Sequence, residues 1–288
     1  MIVSFRPIVK TLVWGSENWV LSGVPGSESV VAEGPLAGKT LPEVYGGEFP
    51  LLVKFIDARR DLSIQVHPND ELARVRHGCK GKTEMWYVTG ADAGAQLLSG
   101  FSRQITPAEY ERLVAEDRIV EALARHEVHE GDVFFLPAGR VHAIGGGCRL
   151  AEIQQTSDIT YRIYDYGRPG LDGKPRPLHT EQARDAIDFT PYPDYRTHYP
   201  DPRPGERVPL VHCPQFCTDL LDADSALSVV PIPGCGFLVA VCLSGSVRLE
   251  NDGSAVLKAG CAALALGSGH LDISALEPDT RLLLSWVP

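Results

Sequence analysis

The 288-residue chain is predicted to be mainly β, built from two β-sandwich or jelly-roll units with a small helical insertion. Its apolar runs are short and end at Gly, Pro, Asp or Asn, which is the pattern of strands joined by turns. Glycine (28) and proline (22) are plentiful, as many turns require. The stretch YPDYRTHYPDPRPGER over 192–207 is polar and Pro-rich with no apolar period, so it reads as a linker. These observations divide the chain into domains 1–198 and 199–288.

The first domain has strand patterns at 50–56, 62–66, 84–88, 132–136, 149–153 and 160–164. The second has them at 237–243, 246–249 and 281–286, with almost no helical text. Thr106-Pro107-Ala108-Glu109 is a capping box with Pro at the first helical position, which predicts a helix to about residue 114. A second short helix is predicted over 117–124, so the insertion lies near 103–126. A third helix, over 180–187, starts with Glu181, an acid favoured by the helix dipole.

With 44% hydrophobic and 22% charged residues the chain is globular rather than disordered. Acids outnumber bases 37 to 27, for a net charge of -10. That argues against nucleic acid or an anionic membrane surface as partner, since both need clustered Lys and Arg. A small phosphorylated substrate is compatible with it, because one or two buried cations bind such a molecule locally. The seven cysteines form no CxxC pair, and the opening MIVSFRPIVKTLVW lacks a signal-peptide pattern. No run approaches the roughly 18 apolar residues of a membrane span. A cytoplasmic protein with free thiols is expected. Monomer and homodimer are equally compatible with the sequence.

The chemistry concentrates on three segments. In Ser63-Ile64-Gln65-Val66-His67 the alternation places Ser63, Gln65 and His67 on one face of a strand. Lys82, Glu84 and Trp86 share a face in the same way, and His142 follows the turn Pro137-Ala138-Gly139. Two imidazoles, a carboxylate and an amide oxygen from separate strands suit a borderline or hard divalent metal.

The runs FPLLVKF, LSIQVHPND, GKTEMWYV, EGDVFFLPAGRVHAIG and EIQQTSDITYRIYDYGR resemble the type I mannose-6-phosphate isomerases of the cupin superfamily, in their short bacterial form. GPLAGKTL at 34–41 is typical of that form. The resemblance implies two cupin barrels, the second smaller and degenerate. It implies one zinc per chain, held by Gln65, His67, Glu84 and His142. It also implies Arg162 and Lys82 as catalytic groups, and Ser63 and Lys54 around the sugar phosphate. The reaction it implies is interconversion of mannose 6-phosphate and fructose 6-phosphate through an enediol(ate). Lys82 and a metal-bound hydroxide are the alternatives for taking the C2 proton, since Arg is too basic.

His77, His126, His129, His179 and His198 read as loop or helix-edge residues, and His212 with Cys213 and Cys217 as packing rather than a second metal site. Glu152, Asp158 and Asp165 are expected to orient neighbouring groups. Two alternatives stand beside the isomerase. One is a cupin that binds a sugar phosphate or metal without turnover, and the other is a different metal-dependent cupin enzyme.

Overall fold

The computed structural model describes residues 1–223 and 228–288. Its strands are β1 (Ile2–Ser4), β2 (Ile8–Leu12), β3 (Gly15–Ser22), β4 (Leu51–Ala58), β5 (Ile64–Val66), β6 (Glu84–Ala91) and β7 (Gln96–Phe101). These are followed by β8 (Leu123–Glu127), β9 (Val133–Leu136), β10 (His142–Ile144), β11 (Cys148–Gln155) and β12 (Tyr161–Tyr164). The remainder are β13 (Arg207–His212), β14 (Cys217–Ala223), β15 (Ser228–Pro231), β16 (Phe237–Ser244), β17 (Ser246–Asn251), β18 (Gly253–Lys258), β19 (Ala262–Leu266), β20 (His270–Ala275) and β21 (Thr280–Trp286). The α-helices are short: α1 (Leu41–Tyr45), α2 (Asp70–His77), α3 (Pro107–Ala115) and α4 (Thr180–Ala186). No helix among the described residues is long and apolar enough to cross a membrane. All seven cysteines are free.

Two compact units are present, one of Met1–Ile8, Asn18–Phe55 and Thr197–Pro288, the other of Val9–Glu17 and Ile56–Arg196. Sequence order and spatial grouping therefore differ in the first fifty-five residues. The reason is visible at β1, whose pairing partner is β19, with Ile2 opposite Ala265.

In the second unit, β5, β7, β8, β10 and β12 make a five-stranded sheet of order β12-β5-β10-β7-β8. Its outer face carries Ile64, Val66, Leu98, Ala143, Tyr161 and Ile163, which pack on Tyr110 and Leu113 of α3 and Ala183 of α4. The period of two then turns Gln65, His142 and Arg162 to the inner face. Strands β11, β6 and β9 run consecutively in a six-stranded sheet with β4, β3 and β2. From these strands Trp86, Val88, Phe134, Leu136 and Leu150 form an inner core with Leu97 and Ile144. Burying each of the large ones stabilises the fold by about 1.5–3 kcal/mol.

The helix expected over 117–124 is a correction. A 3-10 turn spans Ile119–Ala122 and β8 begins at Leu123. Asp117 takes a left-handed φ of 56°, which breaks helical continuity, and Leu98 of β7 lies opposite Arg125 in a ladder that claims the rest. The helix α2 lies in a region for which no helix was predicted. Asn69 caps it by accepting the Leu72 N–H at 2.9 Å.

In the first unit, a six-stranded sheet of order β1-β19-β16-β21-β14-β13 and a four-stranded sheet of order β15-β20-β17-β18 enclose a core of alternating residues, including Leu238, Ala240, Leu249, Ile273, Leu282 and Leu284. His212 pairs with Asp219 at 2.7 Å rather than joining Cys213 and Cys217 at a metal site.

Candidate active site

Register on the five-stranded sheet sets the first row of the site. Arg162 is opposite Gln65, and Gln65 is opposite His142. His67 follows β5 directly, and Glu84 opens β6 between Leu136 and Gln154. His67, Glu84 and His142 are all buried, and one ligand atom from each lies within 4.8 Å of the others.

Two glycines set this geometry. Gly139 adopts φ 92° in the turn where the Arg140 N–H donates to the Pro137 carbonyl, a conformation that costs other residues about 1–2 kcal/mol. Its own N–H donates to the His67 carbonyl at 2.9 Å, so one turn ties both histidine segments together. Gly81 packs against the backbone of Pro68–Asp70, where a Cβ would meet Asn69 C at 2.5 Å. The Lys82 N–H next to it donates to the Pro68 carbonyl at 3.1 Å.

The tautomers follow from the acceptors. His67 Nδ1 lies 2.8 Å from the Ile159 carbonyl, and His142 Nδ1 lies 2.8 Å from the Arg140 carbonyl. A carbonyl only accepts, so both Nδ1 atoms carry a proton, and the Lys82 ammonium, which only donates, faces a lone pair on His67 Nε2 at 3.1 Å. Burial, reinforced by the Lys82 cation, pushes the His142 pKa down to about 3 and keeps its ring neutral. Its Nε2 faces Glu84 Oε1 at 3.2 Å, and His67 Nε2 faces Glu84 Oε2 at 3.6 Å. The Lys82 ammonium stands beside Glu84 Oε2 and His67 Nε2, and Glu84 Oε1 faces the lone pair of His142 Nε2. Donor set, burial and orientation therefore fit a divalent metal. Gln65 adds its amide, whose Nε2 is 3.2 Å from His142 Nε2; the opposite amide orientation would present Oε1.

Lys82 Nζ lies 2.5 Å from Glu84 Oε2, 3.1 Å from His67 Nε2 and 3.8 Å from Glu152 Oε1. Glu152 also accepts the Trp86 indole N–H at 2.8 Å, and the Trp86 ring meets His142 edge-on. Thr83 fixes the same run, taking its N–H to Gln155 Oε1 at 2.9 Å. Arg162 is half-buried and donates Nη1 to the Pro177 carbonyl at 3.0 Å. Burial, with Arg176 and Arg168 nearby, presses its pKa below the usual arginine range, so a further anion there is favoured.

Ser63 is buried immediately before β5. Lys54 is buried on β4 in the other unit, with Nζ 5.6 Å from the centre of the Trp19 ring. Asp165 holds Arg168 and Arg176 rather than Arg162, and Asp158 is exposed. The sequence marks Gly139 as part of a tight turn and His179 as a loop or helix-edge residue, and neither Gly81 nor Pro177 carries a periodic signal.

A sequence model of the type I phosphomannose isomerase catalytic domain matches residues 15–87, which include Lys54, Ser63, Gln65, His67, Lys82 and Glu84. The chain is 35% identical to the mannose-6-phosphate isomerase ManA of Bacillus subtilis (strain 168) over 241 residues, 74% of this chain and 76% of that protein. This chain belongs to the type I mannose-6-phosphate isomerase family. A mannose-6-phosphate isomerase of Streptococcus mutans is 39% identical over 182 residues, 59% of this chain and 57% of its own. The crystal structure of a mannose 6-phosphate isomerase from Bacillus subtilis superposes with a TM-score of 0.89 at 28% identity, covering 99% of each chain. A putative mannosephosphate isomerase from Archaeoglobus fulgidus, 16% identical, shares the fold with a TM-score of 0.78, over 99% of this chain and 97% of its own.

Proposed function

We propose that this protein is a zinc-dependent aldose–ketose isomerase that interconverts mannose 6-phosphate and fructose 6-phosphate through an enediol(ate), with the chemistry in the catalytic domain 1–198. The observation that carries the reading is the pair of neutral imidazoles whose Nε2 lone pairs converge on buried Glu84, beside Lys82. Gln65, His67, Glu84 and His142 would hold the zinc. When bound, it supplies Lewis-acid stabilisation to the sugar oxygens.

The chain's own groups do the remaining work. Arg162 already carries its proton as a guanidinium, so its part is electrostatic, offsetting charge that develops on the enediolate. Lys82, with Glu84 at 2.5 Å and Glu152 at 3.8 Å beside it, adds positive charge near the developing enediolate. Glu152, which accepts the Trp86 indole N–H, stands beside that lysine. Ser63 and Lys54 take the phosphate, the hydroxyl donating and the ammonium supplying charge.

A coupled isomerase assay with mannose 6-phosphate, run before chelation, after it and after zinc restoration, tests the proposal. Activity should vanish with the metal and return with zinc. Full turnover after metal removal verified by elemental analysis would overturn zinc dependence. A zinc-loaded protein that binds the sugar phosphate without converting it would instead be a binding cupin.

A further inference from the structure

We propose that His179 is a positioning residue for Arg162, its backbone and imidazole together fixing the edge strand that carries the guanidinium. The inference rests on the reading of Arg162 given above. β12 is the outer strand of its sheet, with β5 on one side only. On the open side the Arg162 N–H donates to His179 Nδ1 at 3.1 Å, and the Arg162 carbonyl accepts the His179 N–H at 2.7 Å. An imidazole nitrogen thus stands where a neighbouring strand would place a carbonyl. Two residues earlier, the Pro177 carbonyl accepts Arg162 Nη1 at 3.0 Å, which tethers the guanidinium itself.

The clamp is anchored at both ends. On the C-terminal side the His179 carbonyl accepts the Ala183 N–H at 2.8 Å, fixing His179 at the start of α4. On the N-terminal side Arg176 makes two hydrogen bonds of 2.6 Å to the buried Asp165 carboxylate. Nδ1 accepts only while the ring is neutral. Burial, with Arg162 and His77 nearby, lowers the His179 pKa and so preserves that lone pair.

A residue that only closed a sheet edge would affect stability whatever stood at 162. A positioning residue acts through Arg162, which steady-state kinetics on the zinc-loaded chain with mannose 6-phosphate can separate. His179→Phe keeps a ring and removes the acceptor, whereas His179→Asn keeps an acceptor. His179→Phe should lower kcat roughly 10- to 10²-fold with KM within about twofold, the scale of a misplacement near 1 Å. His179→Asn should recover most of that loss. In an Arg162→Ala background, His179→Phe should cost nothing further. Wild-type kcat in His179→Phe, or the same fold loss in both backgrounds, would overturn the positioning role while leaving Arg162 in place. Normal kcat in Arg162→Ala alone would overturn both, since nothing would remain to position. If His179→Phe does not fold, His179→Ala takes its place; if neither folds, the residue is structural and the proposal fails.

Discussion

Replacing Gly81 by alanine tests how tightly the backbone places Lys82. The added Cβ would lie 2.5 Å from Asn69 C, 2.6 Å from the Asp70 nitrogen and 2.7 Å from the Pro68 oxygen. All three are backbone atoms, so no rotamer change relieves the contact. Ordinary contact begins near 3.4 Å, and 3.4 minus 2.5 leaves about 0.9 Å of movement to find. The same movement pulls on the Gly81 N–H bond to Asp70 Oδ1 at 2.8 Å and on the Lys82 N–H bond to Pro68 at 3.1 Å. Lys82 Nζ, now 2.5 Å from Glu84, would have to be re-placed against that carboxylate from a shifted backbone. A misplacement of that size is expected to lower kcat roughly 10- to 10²-fold. Overpacking of this kind costs about 1–3 kcal/mol of stability. Coupled kinetics, metal content and denaturant unfolding on one preparation supply the three readouts. A variant with wild-type kcat and an unchanged unfolding midpoint would refute the claim that this contact sets the lysine.

His142→Ala and His67→Ala should each lose bound metal and activity together; elemental analysis showing full metal in either variant would remove that histidine from the ligand set. Arg162→Ala should keep zinc and fold but lose about 10²–10³ in kcat, the effect of deleting one oxyanion donor, with Arg162→Lys restoring only part. Lys54→Met should raise KM far more than it lowers kcat, because phosphate binding is present in ground and transition states alike; an unchanged KM would make this lysine structural. His126 is half-buried, and burial lowers its pKa, so on acidification the unfolded chain, titrating near about 6.5, binds a proton first. Stability should therefore hold above that pH and fall below it, and His126→Gln should flatten the change between about pH 7.5 and 5.5; identical slopes in the two proteins would contradict this.

Strands β5 and β12 were legible because each alternates between a polar inner face and an apolar outer one. Ile64 and Val66 meet α3 and α4 while Gln65 turns inward, and Tyr161 and Ile163 do the same for Arg162. The helix α2 was not legible: only Ala73 in it is fully buried, so no apolar period advertises it. The stretch after Asp117 misled because its composition suits a helix, whereas the neighbouring ladder with β7 decides its conformation. Residue types alone could suggest the metal-binding set. The role of His179 depends on a backbone edge left open by sheet topology, and no local pattern records which strand is outermost.

The pairing of β1 with β19 constrains the order in which the chain acquires structure. Ile2, Val3 and Ser4 precede their partners Ala265, Leu264 and Ala263 by some 260 residues. Until Ala262–Leu266 has been made β1 has no edge to join, and loop closure across some 260 residues contributes to a slow, non-local folding step. The exposed strand is most vulnerable to pairing with the wrong edge in that interval. Completion of this sheet thus waits on strand Ala262–Leu266, the template on which it occurs.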